Sequence, residues 1–437
     1  MDSSNFAFYI ETLGCPKNRV DSRRLKSSLL LNGFKEAADA KSADIILINS
    51  CSFIREAQEE TIETTYQALK VKKVKNKQAK VGLIGCFPQR FEKETLMEIP
   101  ELDFVTGTGK FAEIPYLLAK KFNIKLSANP GWKPASTNKK PYAYFQIAQG
   151  CSRSCSFCAI PAIRGNFYNY DIADIEQQYK EELLSRDNSS PLKEIILVSQ
   201  DTNSSGKDHL KNVLDFFSSK EDVAWIRLHY LFPEKKIFNI LKLWQEYPKL
   251  VPYLDLPLQH ISSSILKKMN RPGDVELFRE IISEMLRIRP DAEIRSSLII
   301  GYPGETKEDI DQIKDFLAHA NIDKLSLFRY SHEENTPSFS QSQDDVPDET
   351  KIERINDIRN YHLEQRKERR SALTGKIVPL MVDEISQNEI IARRQQDSPE
   401  IDEIVTLASK NKKIQPGDLI EGRIEMAMEY DFIAELI

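Results

Sequence analysis

The 437-residue chain has no long hydrophobic run and no strong excess of one charge. Apolar stretches such as Ile195–Val198 are far shorter than the roughly 20 apolar residues that a membrane-spanning helix needs. The first residues (MDSSNFAFYIETLG) have no basic segment followed by an apolar one, so we expect no secretory signal. These absences predict a cytoplasmic protein with no membrane partner.

The charge balance is also uninformative about a polyanionic partner, because 61 Lys and Arg residues face 66 Asp and Glu residues. A net charge of −5 gives no reason to expect a phosphate backbone, so nucleic acid is at most a secondary partner. Cysteine is scarce, with six residues, and in a reducing compartment these six do not suggest a disulfide framework. They fit metal or redox chemistry better.

The pattern of apolar runs predicts an α/β chain of several domains, because 437 residues are too many for one ordinary core. Residues 1–125 alternate short apolar strands with amphipathic helices, which favours a parallel sheet flanked by helices. A stretch rich in Pro, Ser and Lys predicts a linker over residues 126–140. The first domain's predicted strands are Phe6–Ile10, Ile45–Ile48 and Val81–Ile84, and its predicted helices include Ser22–Leu31 and Glu56–Leu69.

Residues 141–372 contain a second strand–helix series, which predicts a partial (β/α)6 barrel with ligands at the carboxyl ends of its strands. Residues 373–437 change to short β-like runs with turn signals, which predicts a small antiparallel β-barrel. The six barrel strands are predicted at Tyr142–Ala148, Glu194–Ser199, Trp225–Leu231, Tyr253–Leu258, Ile294–Ile300 and Lys324–Tyr330.

Three cysteines form a Cys-x3-Cys-x2-Cys motif at Cys151, Cys155 and Cys158, directly after a predicted strand. A compact loop with this spacing can aim three thiolates at one point. Cubane clusters otherwise take four cysteines, so three thiolates would leave one iron of a 4Fe–4S cluster open for a ligand. Zinc would want a fourth Cys or His nearby, and an unligated trio is the other alternative.

The other three cysteines are far apart in sequence, but each follows a predicted parallel strand. Cys15, Cys51 and Cys86 come just after the first, second and third strands. Parallel strands end at one edge of the sheet, where open α/β sheets bind ligands, so the three thiols can converge there. Buried apolar cysteines are the alternative for each one alone. Together they predict a second three-cysteine 4Fe–4S cluster with an open iron.

These motifs resemble a known family, the radical S-adenosylmethionine methylthiotransferases. The stretch Gly150–Gly165 (GCSRSCSFCAIPAIRG) is similar to the radical S-adenosylmethionine signature, with Phe157 as its usual aromatic. The resemblance covers nearly the whole chain and includes a terminal TRAM module. The other matching motifs are Thr12–Ser22 (TLGCPKNRVDS), Ile48–Ile54, Ile84–Arg90, Leu197–Gly206, Tyr253–Ser262, Ile299–Thr306, Phe328–Pro337, Asp397–Val405 and Glu429–Leu436.

The Cys-Pro-Lys-Asn sequence at Cys15–Asn18 is similar to the branch that modifies a ribosomal protein, whereas the transfer-RNA branch typically has Cys-Gln-x-Asn there. This resemblance implies methylthiolation of the β-carbon of an aspartate in small-subunit ribosomal protein number twelve, with the ribosome as one setting for the reaction. The alternative is a methylthiotransferase acting on a transfer-RNA adenosine. Relatives usually carry further basic residues after Gly165, but this chain reads NFYNY at Asn166–Tyr170.

The resemblance also implies the cofactors and their chemistry. S-adenosylmethionine would chelate the open iron of the Cys151/Cys155/Cys158 cluster, and an electron donor such as flavodoxin or ferredoxin would reduce that cluster. Cleavage would give a 5′-deoxyadenosyl radical, which takes a hydrogen atom from carbon too weakly acidic for base chemistry. Sulfur would come from the Cys15/Cys51/Cys86 cluster or from a sulfur species on its open iron, and a second S-adenosylmethionine would supply the methyl group.

Further cofactor contacts are expected at the strand ends, and each has a structural alternative. Two glycines permit close backbone approach, while Glu305 could bind the ribose or cap the following helix. Arg295 could line the barrel or form a core salt bridge, and Phe157 could pack on the cofactor or only fill space. The predicted cofactor-binding residues are Phe157, Gln200, Gln259, Arg295, Gly301, Gly304 and Glu305, with Asp201 beside Gln200 as a further candidate.

The charge of the predicted terminal barrel helps to distinguish an RNA substrate from a protein substrate. Residues 373–437 contain seven Lys and Arg residues against thirteen Asp and Glu residues, whereas an RNA-binding module normally shows a basic surface. An acidic surface suits a basic ribosomal protein, although acidic surfaces are also ordinary solvated ones. A non-catalytic iron–sulfur electron carrier or an RNA-binding scaffold is the remaining alternative from another functional class.

Overall fold

The structure is a computed structural model that describes residues 2–127, 140–186, 190–409 and 413–437. The chain divides into two units. The first contains residues 2–127, 144–153 and 158–185, and the second contains the rest of the described chain. Within these described ranges, no helix is long and apolar enough to cross a membrane.

The first unit is built on a five-stranded parallel sheet in the order β2-β1-β3-β4-β5. Two of its three interior strands, β3 and β4, are almost wholly buried, as expected for a sheet covered by helices on both faces. The strands are β1 (Ala7–Thr12), β2 (Lys35–Glu36), β3 (Ile45–Ser50), β4 (Lys80–Gly85) and β5 (Phe104–Thr106). The helices are α1 (Pro16–Leu31), α2 (Arg55–Val74), α3 (Cys86–Glu98) and α4 (Ile114–Phe122).

Two apolar clusters pack on the two faces of this sheet. One joins Leu25 and Leu29 of α1 to Leu118 of α4, and the other joins Ile46 of β3 to Ala68 of α2. Shorter elements follow residue 140: β6 (Tyr142–Gln146), β7 (Ala148–Gln149), α5 (Ile160–Arg164), β8 (Tyr168–Asn169) and α6 (Ile172–Leu184). Strands β7 and β8 pair antiparallel.

The second unit begins with parallel strands that alternate with helices. Strand β9 pairs with β10, and β11, β12 and β13 form a second parallel sheet. A hydrogen bond of 3.0 Å from the Leu231 amide to the Asp255 carbonyl connects β10 to β11, so the two sheets continue one another. The strands are β9 (Glu194–Val198), β10 (Trp225–Leu228), β11 (Tyr253–Asp255), β12 (Glu293–Ile300) and β13 (Lys324–Arg329).

Helices follow these strands in the pattern of a (β/α) barrel, and the long helix α14 closes the region. Thr306, rather than the predicted alternative Glu305, caps the start of α12 in a capping box with Asp309, and Asp274 caps α11. The helices are α7 (Lys207–Ser218), α8 (Ile237–Leu241), α9 (Leu243–Glu246), α10 (Ser263–Lys268), α11 (Val275–Ile288), α12 (Lys307–His319), α13 (Pro337–Gln341) and α14 (Asp348–Ser371).

The last residues form a closed five-stranded barrel in the order β14-β15-β16-β18-β17. Its pairs are antiparallel except for β16 and β18, which run parallel. Closure leaves no open edge, and the barrel buries its own apolar core around Leu380, Ile424 and Phe432. The strands are β14 (Ile377–Ile385), β15 (Glu389–Arg394), β16 (Val405–Ala408), β17 (Leu419–Ala427) and β18 (Phe432–Leu436).

Buried charges join this terminal barrel to the strands before it. We call the group the ionic junction. Arg394 of β15 lies 2.7 Å from Glu293 of β12, and Lys324 of β13 lies 3.2 Å from Asp397. Because each charge is paired, the junction avoids the large cost of burying an isolated ion. Its members are Glu293, Lys324, Arg366, Arg370, Arg394, Asp397 and Glu403.

The predicted fold class is confirmed in its three parts: a parallel-sheet α/β domain, a partial (β/α)6 barrel and a terminal β-barrel. The parallel β16–β18 pair is a detail that the sequence pattern did not predict. The predicted linker at residues 126–140 falls almost entirely outside the described residues. The predicted domain limits at residues 125, 141, 372 and 373 stay predictions.

Candidate active site

Three cysteines of the first unit lie at the carboxyl edge of the parallel sheet. Cys15 caps the amino end of α1 just after β1, Cys51 directly follows β3, and Cys86 is the first residue of α3 after β4. These strands are neighbours, with Thr12 paired to Asn49 and Ser50 paired to Gly85. The sheet register therefore brings cysteines separated by about 35 residues in sequence to one place, as predicted.

The side chain of Asn18 shows how close the thiols are. Its Oδ1 atom lies 4.0 Å from Cys15 Sγ and 3.9 Å from Cys86 Sγ. On the other side, Gly14 packs against Cys51, because a Cβ on Gly14 would lie 2.8 Å from Cys51 Sγ. The three cysteines, called here the auxiliary triad, thus all lie beside Asn18 or Gly14, which are themselves in contact.

Burial and the closeness of the three thiols disfavour the charged thiolate form of these cysteines when no metal is bound. Burial, together with the neighbouring Cys15 and Cys86, raises the pKa of the Cys51 thiol to about 12. Burial also raises the pKa of Cys86. Thiolates are the species that bind metal, and a cation at the centre would remove both penalties. The donor set therefore fits an iron–sulfur cluster.

Hydrogen bonds fix the loops that carry the auxiliary triad. Asn18 Nδ2 donates to the carbonyls of Leu13 (2.8 Å) and Ser50 (3.0 Å), which ties the loops after β1 and β3 together. Ser52 Oγ donates to the carbonyl of Cys86 at 3.0 Å. Thr61 Oγ1 donates to the carbonyl of Cys51 at 2.8 Å. These hydrogen bonds therefore position the loops that carry Cys15, Cys51 and Cys86.

Sequence reasoning missed Arg164, which reaches the auxiliary triad from α5. Its Nη2 atom donates to Cys86 Sγ at 3.2 Å and to Asn18 Oδ1 at 2.7 Å, while Nη1 lies 2.6 Å from Asp21 Oδ2. Burial opposes its charge, but Asp21 and Cys86 raise its pKa overall. Its position in the apolar stretch Ala159–Gly165 was the available signal, since an arginine there needs a buried partner.

The remaining cysteines lie on one loop after β7, called here the cysteine loop. Gly150 has φ +76°, and a Cβ there would lie 2.1 Å from the Asn166 carbonyl oxygen, so only glycine fits. The Cys151 amide donates to the Gly165 carbonyl at 3.0 Å. Cys151 and Cys155 are buried, whereas Cys158 is half-buried.

The middle of the cysteine loop, residues 154–157, belongs to the second unit. The Ser156 amide donates to the Met269 carbonyl at 2.9 Å, and Ser156 Oγ lies 2.8 Å from the Tyr302 hydroxyl. Arg271 Nη1 donates to Cys155 Sγ at 3.8 Å. Phe157 packs on the cluster that contains Met269 and Tyr302, so its observed contact is with protein.

Gly301, Gly304 and Glu305 form the turn after β12. Both glycines have positive φ values, and a lysine lies over each: Lys351 Cγ is 2.2 Å from the position of a Cβ on Gly301, and Lys268 Nζ is 2.3 Å from that of Gly304. Glu305 accepts hydrogen bonds from the Gly301 amide at 2.9 Å and from Arg354 at 2.8 Å. The carboxylate therefore supports the turn itself.

Gln259 and Arg295, two predicted cofactor contacts, differ in the interactions that they make within the protein. Gln259 has φ +73°, a strained conformation that often marks functional positions, and its amide donates to the Ser297 carbonyl at 2.8 Å. Arg295 bonds to Ser326 at 2.9 Å and to Asp402 at 3.3 Å, which is the arrangement of a core salt bridge.

Gln200 and Asp201 follow the end of β9. Gln200 has a buried Oε1 atom with no hydrogen-bond partner among the described residues. The carboxylate of Asp201 accepts hydrogen bonds from the amide and the hydroxyl of Ser204, which caps the short turn Thr202–Ser205. Gln200 is thus the better placed of the two to receive a ligand donor. The cofactor roles of all these residues stay predictions.

A group of carboxylates, Glu293, Asp397 and Glu403, has oxygen atoms within 4.8 Å of one another and could be taken for a metal site. The group belongs to the ionic junction, where Lys324 and Arg394 already pair with these carboxylates. Although burial opposes ionisation, Arg394 and Lys324 lower the pKa of Glu293. Protein cations thus occupy the place that a metal ion would take.

Comparison with known sequence families defines the class of the protein. Residues 145–317 match the radical SAM superfamily, and residues 374–437 match the TRAM domain. Residues 7–107, which hold the auxiliary triad, match a family described as uncharacterized protein family UPF0004. The fold and the cysteine loop are thus those of a radical S-adenosylmethionine protein.

Full-length relatives identify the family. The chain is 40% identical over 438 residues to the ribosomal protein uS12 methylthiotransferase RimO of Leptospira biflexa, covering 97% of this chain and 96% of the relative. It is 34% identical to the protein of the same name from Caldicellulosiruptor saccharolyticus, covering 98% of each. The chain therefore belongs to the RimO family, which confirms the resemblance drawn from its motifs.

Solved structures agree at the level of the fold. The radical S-adenosylmethionine methyltransferase TsrM of Kitasatospora setae has a TM-score of 0.56 and 13% identity, and the match covers 77% of each chain. The cobalamin-dependent S-adenosylmethionine radical enzyme OxsB has a TM-score of 0.51 and 11% identity, and the match covers 82% of this chain and 56% of OxsB.

Proposed function

We propose that this chain is a cytoplasmic radical S-adenosylmethionine enzyme that adds a methylthio group to the β-carbon of an aspartate in ribosomal protein uS12. The observation that carries the proposal is the convergence of Cys15, Cys51 and Cys86 at one sheet edge, in a chain that also has the cysteine loop. Residues 1–125, 141–372 and 373–437 would be its three domains.

Two iron–sulfur clusters are proposed, one on each group of three cysteines. The auxiliary triad would hold one 4Fe–4S cluster, and Cys151, Cys155 and Cys158 would hold the other, each leaving one iron without a protein ligand. When bound, S-adenosylmethionine and the reduced cluster of the cysteine loop supply a radical able to break an unactivated C–H bond.

The chain's own residues would bind and orient the cofactor at the strand ends of the second unit. Gly301 and Gly304 would form the turn beside the cofactor, and Glu305 would support that turn by accepting a hydrogen bond from the Gly301 amide. Gln200 would satisfy its unpartnered Oε1 atom with a ligand donor. The remaining proposed contacts are Phe157, Gln259 and Arg295.

The substrate is assigned from the relatives and from charge. The relatives that match over their full length are named for uS12, which favours a protein substrate over the transfer-RNA alternative. The net charge of −6 in residues 373–437 suits a basic ribosomal protein. A small electron carrier such as flavodoxin or ferredoxin would supply the reducing electron, with uS12 presented either free or on the ribosome.

The test is an anaerobic reaction of reconstituted protein with uS12, S-adenosylmethionine, sulfide and a reductant. Mass spectrometry should find a gain of one sulfur and one methylene group on a single aspartate-containing peptide. A Cys155→Ala variant should give no product and no cleavage of S-adenosylmethionine. A Cys51→Ala variant should still cleave S-adenosylmethionine but insert no sulfur.

Two results would contradict the proposal. Unchanged uS12 together with methylthiolated transfer RNA would move the activity to the transfer-RNA branch. Failure of fully reconstituted, reduced protein to cleave S-adenosylmethionine would favour an electron carrier or scaffold instead.

A further inference from the structure

The segment that carries Arg164 contacts both Cys86 and Cys151 within the first unit. Arg164 ends α5, six residues after Cys158, and is 6% exposed. The next residue, Gly165, accepts a hydrogen bond from the Cys151 amide at 3.0 Å. Ala159, which caps α5, and Ile163 of α5 pack on Cys86. One short segment thus contacts the cysteine loop with its backbone and the auxiliary triad with its side chain.

The side chain of Arg164 is arranged as a charged donor to sulfur. Nη2 is 3.2 Å from Cys86 Sγ, within range of an N–H···S hydrogen bond, and Nη1 pairs with Asp21 at 2.6 Å. Asp21 also accepts from Gln146 Nε2 at 3.1 Å, so the carboxylate is itself fixed. Around the cysteine loop, the corresponding contact of Arg271 with Cys155 is longer, at 3.8 Å.

Building on the proposed function, we propose that Arg164 is a positioning residue that raises the reduction potential of the auxiliary cluster through its hydrogen bond to Cys86, and that Asp21 limits this effect. Hydrogen bonds to cluster sulfurs and local net charge are the two protein features that set such potentials. A buried cation beside a thiolate stabilises the added electron, and its carboxylate partner opposes that stabilisation.

This inference predicts opposite effects from the two halves of one ion pair. Arg164→Met removes the donor and the charge, so the reduction potential should become more negative. Arg164→Lys keeps the charge, so its shift should be smaller. Asp21→Asn keeps the shape but leaves Arg164 uncompensated, so the potential should become more positive. A general loss of packing would not produce shifts of opposite sign.

The measurement is a redox titration followed by electron paramagnetic resonance. It uses the full chain with Cys151, Cys155 and Cys158 replaced by alanine, so that only the auxiliary cluster contributes. We expect Arg164→Met to change the ratio of reduced to oxidised cluster at a fixed potential by about tenfold, equivalent to about 59 mV for one electron. Arg23→Met is the matched control, because Arg23 is a largely buried arginine of the same unit bonded to Glu182 and the Tyr144 carbonyl.

Iron and sulfide counts distinguish a failure of the proposed auxiliary cluster from a failure of the proposed role of Arg164. If the parent protein of this experiment binds no cluster, the proposed auxiliary centre itself is wrong. If the cluster assembles and the potentials of Arg164→Met and Arg23→Met equal that of the parent, the role of Arg164 is refuted. Should Arg164→Met fail to assemble a cluster, Arg164→Lys and Asp21→Asn decide, and shifts of the same sign in both would refute the inference.

Discussion

Gly14 lies so close to Cys51 that a Cβ on the glycine would be 2.6 Å from Cys51 Cβ. The glycine also has φ +80°, a conformation that residues with a side chain rarely adopt. The residue before Cys15 therefore needs to be glycine for two reasons, the backbone angle and the space that Cys51 occupies.

Replacing Gly14 with alanine should damage the auxiliary triad specifically. The methyl group would push Cys51 away, and we expect a loss of about 1–3 kcal/mol in the free energy of unfolding together with loss of the auxiliary cluster's iron. Gly109→Ala is the control, because Gly109 has φ +81° and no atom of the described residues lies within 4 Å of its added Cβ. Equal iron content in the two variants would contradict this view of Gly14.

Single cysteine variants should separate the two proposed clusters. Cys51→Ala and Cys155→Ala should each lose about four irons, since each removes a ligand of a different cubane. Anaerobic iron and sulfide analysis measures this directly. Loss of all iron in both variants, or no loss in Cys51→Ala, would argue against two independent clusters.

The ionic junction should be sensitive to removal of one partner. Arg394→Met would leave Glu293 and Asp397 with Lys324 as a shared cation, and we expect a loss of about 3–5 kcal/mol in the free energy of unfolding. Urea denaturation checks this. Arg287→Ala, which breaks an exposed pair with Glu284, should have little effect. Similar losses in both variants would contradict the importance of burial.

Lowering the pH should reduce the free energy of unfolding, partly through protonation of His362. Burial lowers the pKa of His362 to about 4, below its ordinary value of 6.5, and Nε2 donates to the Ile322 carbonyl at 2.9 Å. Between these two pKa values the unfolded chain binds a proton that the folded chain does not. Stability should therefore fall as the pH drops through this window, by about 3 kcal/mol from this group.

The His362→Gln variant tests this contribution, because glutamine can also donate to the Ile322 carbonyl but does not titrate. Unfolding in urea at several pH values from about 7 down to about 4.5 should show a shallower decline for the variant. Parallel declines in the variant and the parent would show that His362 does not contribute.

The repeated strand–helix units of the first domain were predictable from the sequence. The sheet edge at which these units place Cys15, Cys51 and Cys86 was predictable as well. The runs at Ile45–Ile48 and Val81–Ile84 gave β3 and β4, and each strand end carried its cysteine. Runs of this kind report burial on both faces, which is a local property of the sequence. The motif resemblance extended this to the domain order and the family.

Partners separated by many residues could not be predicted. Arg164 lies 143 residues from Asp21, and Arg394 lies 101 residues from Glu293. A charged residue in sequence is by default a solvated one, and only tertiary structure shows which charges are buried in pairs. For the same reason the parallel pairing of β16 with β18 was not visible in two short apolar runs.

The ionic junction also bears on how the protein responds to heat. The cost of dehydrating charged groups falls as temperature rises, whereas stabilisation by apolar burial levels off. Contacts through Arg394 and Lys324 should consequently be among the last to weaken on warming. In scanning calorimetry the terminal barrel and the strands before it should then melt as a single cooperative block, rather than as two separate transitions.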